Sequence, residues 1–330
     1  MKPLSIVAYF DGRLGHDKQT RGILQALAEL TATNVADKKV VISPSSYLKN
    51  WAAYCVSSFL SGRAENKYHS VDLIIGTGTH VHVPMLLDKK TRSVHFGQQV
   101  KVVTCMTPDR LLRHKFDLCC IPRHDEPASD SNVFITLGPP TTVKYEGKHQ
   151  RNRGLILVGG LDVKSHVWNS DEVIRHIQVI TTRNPLMHWT VSSSPRTPEK
   201  TCNDLEKLAA SMQQLTFYRS QNTPAGWVEK EYGMNGTVWV TADSISMVYE
   251  ALSAGCSVGI LPVKWLQQDN KFQKSLTILH QKKMIVDFHE WQSGEKMPVP
   301  PAEPFNEAVR CAREILRRWW PERLGKASHA

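Results

Sequence analysis

Short, nearly continuous apolar runs alternate along the first half of the chain with stretches whose apolar residues return every third or fourth position. The runs at 5–10, 39–43, 71–76, 93–96, 102–106, 118–121 and 133–137 predict strands. The amphipathic stretches at 17–30, 47–60 and 80–87 predict helices. Apolar strands separated by helices imply a parallel sheet covered on both faces, since an exposed face would show strict alternation. The pattern breaks at 138–153, "GPPTTVKYEGKHQRNR", where a Pro pair, glycines and charges leave no periodicity and mark a linker. It then restarts, with strands at 154–159, 188–192, 215–218, 237–241, 257–261 and 284–287. Helices are expected at 170–183, 198–211, 244–254 and 271–281.

Two successive units of similar size follow from this pattern, and 330 residues are long for one core. The expected fold is α/β: two Rossmann-like domains facing each other across a cleft, with boundaries at 1–145 and 146–303. Residues 304–330 form a last helix and tail, expected to return toward the first domain. In that helix Phe305, Ala308, Val309, Ala312, Ile315, Leu316 and Trp319 make one apolar stripe, with Arg310, Arg313, Arg317 and Arg318 mostly off it. A closing helix docked by its stripe is the simpler reading, and a membrane-surface role for its basic face is the other. Trp51, Tyr54 and Phe59 in the 47–60 helix invite the same choice between core and bilayer.

A hydrophobic content of 41% with 22% charged residues describes a soluble globular chain. No apolar run approaches the roughly 20 residues needed to cross a bilayer, and the N-terminus reads directly into a strand without a leader pattern. The expected location is cytoplasmic, with the inner face of the cytoplasmic membrane open to peripheral association. Seven scattered cysteines without a CxxC pair read as reduced core residues. A net charge of +10 points to an anionic partner, whether nucleotide phosphates, anionic lipid or nucleic acid. The basic stretch "DRLLRHK" carries no nucleic-acid module, so no nucleic-acid partner is expected.

The chemistry concentrates at strand ends, where open parallel sheets bind ligands. The first strand runs into "DGRLGHD". There Gly12 and Gly15 permit close backbone approach, Arg13 adds charge, and the following helix offers unpaired amides to an anion. The spacing is not GxGxxG, which disfavours nicotinamide or flavin, and no cofactor is expected. His16 and Asp11 form a candidate general base and its orienting carboxylate, their roles not separable from sequence, or else a locally bonded cap. In the second half, "VTADSISMVYEALSAG" ends a strand at Asp243 and opens a helix. Ser244 and Ser246 there could meet phosphate oxygens, and Glu250 a ribose diol. Gly159 and Gly160 close another strand with a bend suited to phosphate. Ser192 and Arg196 close a third, the guanidinium matched to a diphosphate. No Asp-x-Asp pair occurs, so a donor would be held without metal.

"DGRLGHDKQ", "FDLCCIPRHDEP", "NVFITLGPP" and "VTADSISMVYEALSAG" together resemble the mitochondrial-fission family named for elongated mitochondria. Its bacterial branch is described as lipooligosaccharide outer-core glycosyltransferases. The resemblance runs over nearly the whole chain. A more distant one is to two-domain glycosyltransferases of the peptidoglycan N-acetylglucosaminyl transferase type, of GT-B architecture. In those, a Gly-Gly turn meets the diphosphate and a helix Glu holds the ribose, which corresponds here to Gly159, Gly160 and Glu250. Gly15 and His16 match the last pair of that family's first-domain loop, while Leu14 replaces one glycine and Asp11 and Arg13 are added. These resemblances imply a metal-independent glycosyltransferase acting on a nucleotide-diphosphate sugar. The implied acceptor is a glycolipid, lipopolysaccharide or oligosaccharide hydroxyl, at an anionic membrane surface. A nucleotide-sugar epimerase and a non-catalytic membrane-associated interaction protein are the alternatives.

Overall fold

The computed structural model describes residues 1–43, 51–54, 70–303 and 305–324. The chain divides into two compact units, Met1–Thr142 with Asn306–Ala330, and Val143–Phe305. Among the described residues no helix is long and apolar enough to cross a membrane.

The first unit holds a parallel sheet of β1 (Leu4–Phe10), β2 (Thr33–Lys39), β3 (Leu73–Gly76), β4 (Lys101–Thr104), β5 (Leu118–Pro122) and β6 (Val133–Thr136). Their order is β2-β1-β3-β4-β5-β6. Side chains alternate across the pleat, and both faces of β1 are covered. Ile6, Ala8 and Phe10 pack with Ile23, Leu24 and Leu27 of α1 (Leu14–Leu30). Val7 and Tyr9 pack with Val81, Val83, Met85 and Leu86 of α2 (Thr79–Phe96). Burial on both sides is why β1 reads as an unbroken apolar run.

The C-terminal helix Glu307–Trp319 joins this unit, burying Ala308, Cys311, Ala312, Ile315 and Leu316 in the cluster that also holds α1. Its arginines are largely neutralised. Arg310 pairs with Glu307, and Arg317 and Arg318 pair with Glu314. Arg318 also donates to the Ser131 carbonyl. Paired, these guanidinium groups have little left for a lipid surface.

Two expectations in this unit are corrected. The strand expected at 39–43 lies at Thr33–Lys39 instead: β2 is a mostly exposed edge strand, so "TNVADKK" has no apolar run to announce it. The stretch 93–96 is not a strand but the last turn of α2, which accommodates Pro84 and ends at Gly97 in the left-handed region, φ 61°. Most of the 47–60 helix, including Phe59, lies outside the described residues. The part within them, Trp51–Tyr54, is helical, with Trp51 and Tyr54 packed against the core face that carries Val7 and Ile74.

The second unit repeats the plan. Its parallel sheet contains β7 (Gln150–Leu157), β9 (His188–Ser192), β10 (Leu215–Tyr218), β11 (Asn235–Thr241), β12 (Ser257–Leu261) and β14 (Ile285–Asp287). Their order is β10-β9-β7-β11-β12-β14. A short antiparallel ribbon pairs β8 (His166–Val167) with β13 (Lys264–Trp265). The helices are α3 (Ser170–Arg183), α4 (Glu199–Ser211), α5 (Trp227–Met234), α6 (Ile245–Ser253), α7 (Lys271–Gln281) and α8 (Phe288–Ser293). One face is filled by Trp189, Trp239, Phe288 and Trp291 against Ile177, Ile180 and Leu205. β7 begins at Gln150, within the segment expected as linker. Of the added residues, Gln150 pairs with Asn235 before a register shift and Arg153 pairs with His188; all four are polar and none is buried, so they carry no apolar signal.

Strand order fixes where each unit can bind a ligand. In the first, the chain moves outward from β1 to β2 and then resumes at β3 on β1's other side. In the second, it moves from β7 through β9 to β10 and resumes at β11 beside β7. The loops leaving β1 and β3, and those leaving β7 and β11, therefore diverge and open a crevice at the carboxyl ends of the strands.

Candidate functional site

The first crevice holds a His–Asp pair. Asp11 leaves β1 with a fully buried side chain, and its Oδ2 lies 2.8 Å from His16 Nδ1. Its Oδ1 accepts from the Arg13 amide at 3.1 Å. An ionised carboxylate can only accept, so Nδ1 carries the proton and Nε2 is left as the basic nitrogen. The His16 side chain remains 23% exposed. α1 begins at Leu14, three residues earlier than the periodicity indicates. Gly15 and His16 thus belong to its first turn, and the loop proper is Asp11, Gly12 and Arg13, with Gly12 at φ 79°.

Gly78 makes the pair possible. It leaves β3 at φ 117°, and a Cβ there would stand 2.5 Å from Asp11 Oδ2 and 2.6 Å from His16 Nδ1. Only glycine lets the β3 loop close against the two side chains. Thr20 and Thr77 hydroxyls, 2.9 Å apart, tie α1 to the same loop. The pair also acts on two neighbours. Burial pushes the His82 imidazole down to about 4, and the proximity of His16 adds to this, so His82 is neutral and hydrogen-bonded to Thr104 Oγ1 at 3.0 Å. Burial and the Asp11 charge raise the Asp17 carboxyl. Neither Gly78 nor His82 was singled out from the sequence. The available signal was "IIGTGTHVH", a second glycine-broken strand end followed by two histidines.

The second crevice is an open cavity of about 530 Å³ lined by Leu161, Asp162, Arg196, Asp243, Ser244, Ile245, Ser246, Met247 and Phe272. Arg196, Asp243, Ser244 and Ser246, expected at one site, do converge here. The α6 N-terminus faces it, and Ser244 stands at the N-cap without its hydroxyl capping a helix amide. In the first turn the Met247 amide donates to the Ser244 carbonyl at 2.9 Å, while the first amides of a helix lack an intrahelical acceptor and the dipole there favours an anion.

Asp243 organises the wall. Its Oδ2 accepts from Arg196 Nη2 at 2.9 Å, from the Gly160 amide at 3.1 Å and from Ser244 Oγ at 3.2 Å. The Gly159 amide donates to Thr241 Oγ1 at 2.8 Å. The glycine amides are therefore engaged inside the protein rather than offered to a phosphate. Their role is close packing: a Cβ on Gly159 would overlap Asp243 and Ser244, and one on Gly160 would overlap the Arg196 backbone. His166 donates from Nε2 to the Gly160 carbonyl at 3.0 Å while Nδ1 accepts from Ser165 Oγ at 2.8 Å, which sets its tautomer.

Two expected residues stand apart from the cavity. Ser192 is buried, its hydroxyl turned to the Ser193 carbonyl at 3.3 Å. Glu250 is buried on α6, where the Tyr232 hydroxyl donates to it at 3.4 Å, and it does not line the cavity. Ser246 and Glu250, four positions apart, share a face of α6; what separates them is depth along the axis, about 6 Å, Ser246 standing exposed in the first turn and Glu250 buried a turn further on beside Tyr232. Asp162 and Phe272 line the cavity unannounced by the sequence, since each lies well beyond the strand end that positions it.

Proteins of known structure share this architecture. The UDP co-structure of MnaA from S. aureus superposes with a TM-score of 0.53 at 11% identity, covering 96% of each chain. UDP-GlcNAc 2-epimerase from Neisseria meningitidis bound to UDP-GlcNAc gives 0.51 at 11% identity over 96% of this chain and 99% of its own. E. coli heptosyltransferase WaaC with ADP gives 0.42 at 8% identity over 78% and 87%. At these identities the likeness is one of fold. No curated protein matches the chain by sequence. The family described as Mitochondrial fission ELM1 matches residues 14–319, nearly the full length, and the chain belongs to that family.

Proposed function

We propose that the protein moves a sugar from a nucleotide-diphosphate donor to a hydroxyl of a glycolipid or oligosaccharide acceptor, without a metal. The observation that carries this reading is the Asp11–His16 pair, its imidazole held at Nδ1 by the buried carboxylate and partly exposed at the mouth of the first sheet's crevice. The acceptor hydroxyl gives its proton to Nε2 as its oxygen bonds to the anomeric carbon. The bond from that carbon to the donor phosphate breaks, and the nucleoside diphosphate leaves with the electron pair. Asp11, beside Nδ1–H, stabilises the imidazolium that forms.

The donor is assigned to the second crevice. There the α6 N-terminus and the Ser246 hydroxyl would meet the diphosphate where its charge grows, with Leu161 and Phe272 offering apolar surface. Arg196 enters differently from the sequence expectation. It is held by Asp243 yet 44% exposed, so it offers its open edge while the carboxylate keeps it in place. The UDP and UDP-GlcNAc bound by proteins of this fold support a sugar nucleotide as the ligand.

Epimerisation is the second reading, favoured by the fold likeness to UDP-GlcNAc 2-epimerase. One assay separates the two. Purified protein is incubated with a panel of sugar nucleotides, with and without glycolipid acceptors, and products are resolved by chromatography. Transfer predicts nucleoside diphosphate release that requires an acceptor and falls 10²- to 10⁴-fold in His16→Ala. Conversion of a sugar nucleotide on its own would replace transfer by epimerisation. The absence of thermal stabilisation by any nucleotide or sugar nucleotide would remove both.

A further inference from the structure

The β8–β13 ribbon shows its two faces very different company. Along a strand successive side chains point to opposite sides. The inward members, His166 and Trp265, pack together at 5.9 Å, and Trp265 stacks on Phe272 at 5.9 Å with the rings 9° apart. The ribbon is therefore pinned from below. Its outward members are Val167, paired across the ribbon with Lys264, and Leu266, whose amide donates to the Ser165 carbonyl at 3.0 Å.

Together with the preceding loop this places Leu161, Val163, Val167 and Leu266 on the surface at 50%, 79%, 46% and 52% exposure. One exposed aliphatic residue is ordinary; four concentrated in a single pinned ribbon and its loop mark this segment as a candidate contact surface. Lys164 and Lys264 lie in the same segments, exposed and without a carboxylate partner among the described residues; Lys271, at the start of α7, lies over the Phe272 ring instead, at 5.4 Å. The carboxylates nearby in sequence are Asp162, which accepts from the Lys164 amide at 3.1 Å and lines the cavity, and the exposed Asp269.

We infer that this patch docks the protein on an anionic lipid bilayer, the aliphatic side chains entering the interface and Lys164 and Lys264 meeting headgroups. Aliphatic residues interleaved with unpaired lysines fit a surface that is negatively charged outside and apolar just beneath. The C-terminal helix, with Arg310, Arg317 and Arg318 paired to Glu307 and Glu314, fits it less well. Leu161 belongs to the donor cavity as well as to the patch, so docking would bring that cavity to the membrane.

The test uses no sugar nucleotide, so its outcome is independent of the transfer reading. The full chain is sedimented with vesicles of phosphatidylcholine, with and without phosphatidylglycerol. The expected result is binding that needs the anionic lipid and weakens with added salt. K164E/K264E should lower the partition coefficient on the order of 10- to 100-fold, and V163D/L266D should lower it too, with thermal unfolding unchanged in both. R313E, on the exposed side of the C-terminal helix, should bind normally. Three outcomes overturn the inference: no binding by the wild-type chain, binding indifferent to the ribbon variants, or binding lost only in R313E.

Discussion

Replacing Gly78 with alanine tests whether the His–Asp pair depends on a close backbone approach. Two costs follow from the geometry. At φ 117° and ψ 144° the backbone lies where L residues are strained, which costs about 1–3 kcal/mol. The added methyl would also stand 2.5 Å from Asp11 Oδ2 and 2.6 Å from His16 Nδ1, so one of the pair must move. Losing that charge-assisted hydrogen bond costs about 1.5–3 kcal/mol more. Equilibrium urea unfolding of G78A should therefore show a loss of roughly 2.5–6 kcal/mol, less whatever the loop recovers by relaxing. The two parts can be separated in a D11A/H16A background. With both side chains gone the collision disappears and only the backbone strain remains, so G78A should cost about 1–3 kcal/mol there. An equal cost in the two backgrounds would show that Gly78 serves only its own backbone, and the account of how the pair is held would be wrong.

Other perturbations probe the two crevices. His82 is neutral in the fold, its pKa lowered from 6.5 to about 4, so on acidification the unfolded chain takes up this proton first. Its contribution is complete above about pH 6.5 and is lost as pH falls toward 4, by about 3 kcal/mol. Chemical denaturation of wild type and His82→Gln at pH 7 and pH 4 should show that pH dependence shrinking in the variant. Gly160→Ala sets a methyl against the Arg196 backbone, which cannot swing aside as a side chain could, and should lower the thermal midpoint well beyond a typical surface substitution. Asp243→Ala leaves the buried Gly160 amide without its acceptor, a loss of about 1–3 kcal/mol by urea unfolding. Asp243→Asn, which keeps an acceptor oxygen, should cost less.

Elements buried on two faces were the legible part of the chain. β1, β3 and β5 are covered on both sides, so selection for apolarity acts on every residue and the run shows in the sequence. β2 is the counterexample: paired only with β1 and mostly exposed, it is held by backbone hydrogen bonds that any residue can make. The terminal helix was legible for the same reason, since its stripe repeats at helical spacing and is buried as a stripe. Site residues followed a different rule. His16 and Asp11 lie five positions apart across one turn, and that proximity can be read locally. Gly78 meets them through parallel pairing of β3 with β1, a contact across more than sixty residues of chain with no local trace. Arg196 was visible as a cation at a strand end, whereas its engagement by Asp243, 47 residues on, was not.

Periodicity and strand-end chemistry in the sequence alone determined two doubly wound halves, a His–Asp candidate in the first and a Ser-rich helix start in the second. Those are properties of segments a few residues to one helix long, written in side-chain hydrophobicity and spacing. Only the tertiary structure decided which groups are already used. The Gly159 and Gly160 amides and the Arg196 guanidinium are bonded within the wall, and Glu250 is turned into the core. A donor or acceptor is available to a ligand only if no distant part of the chain has claimed it, and that depends on how β7, β9 and β11 lie side by side.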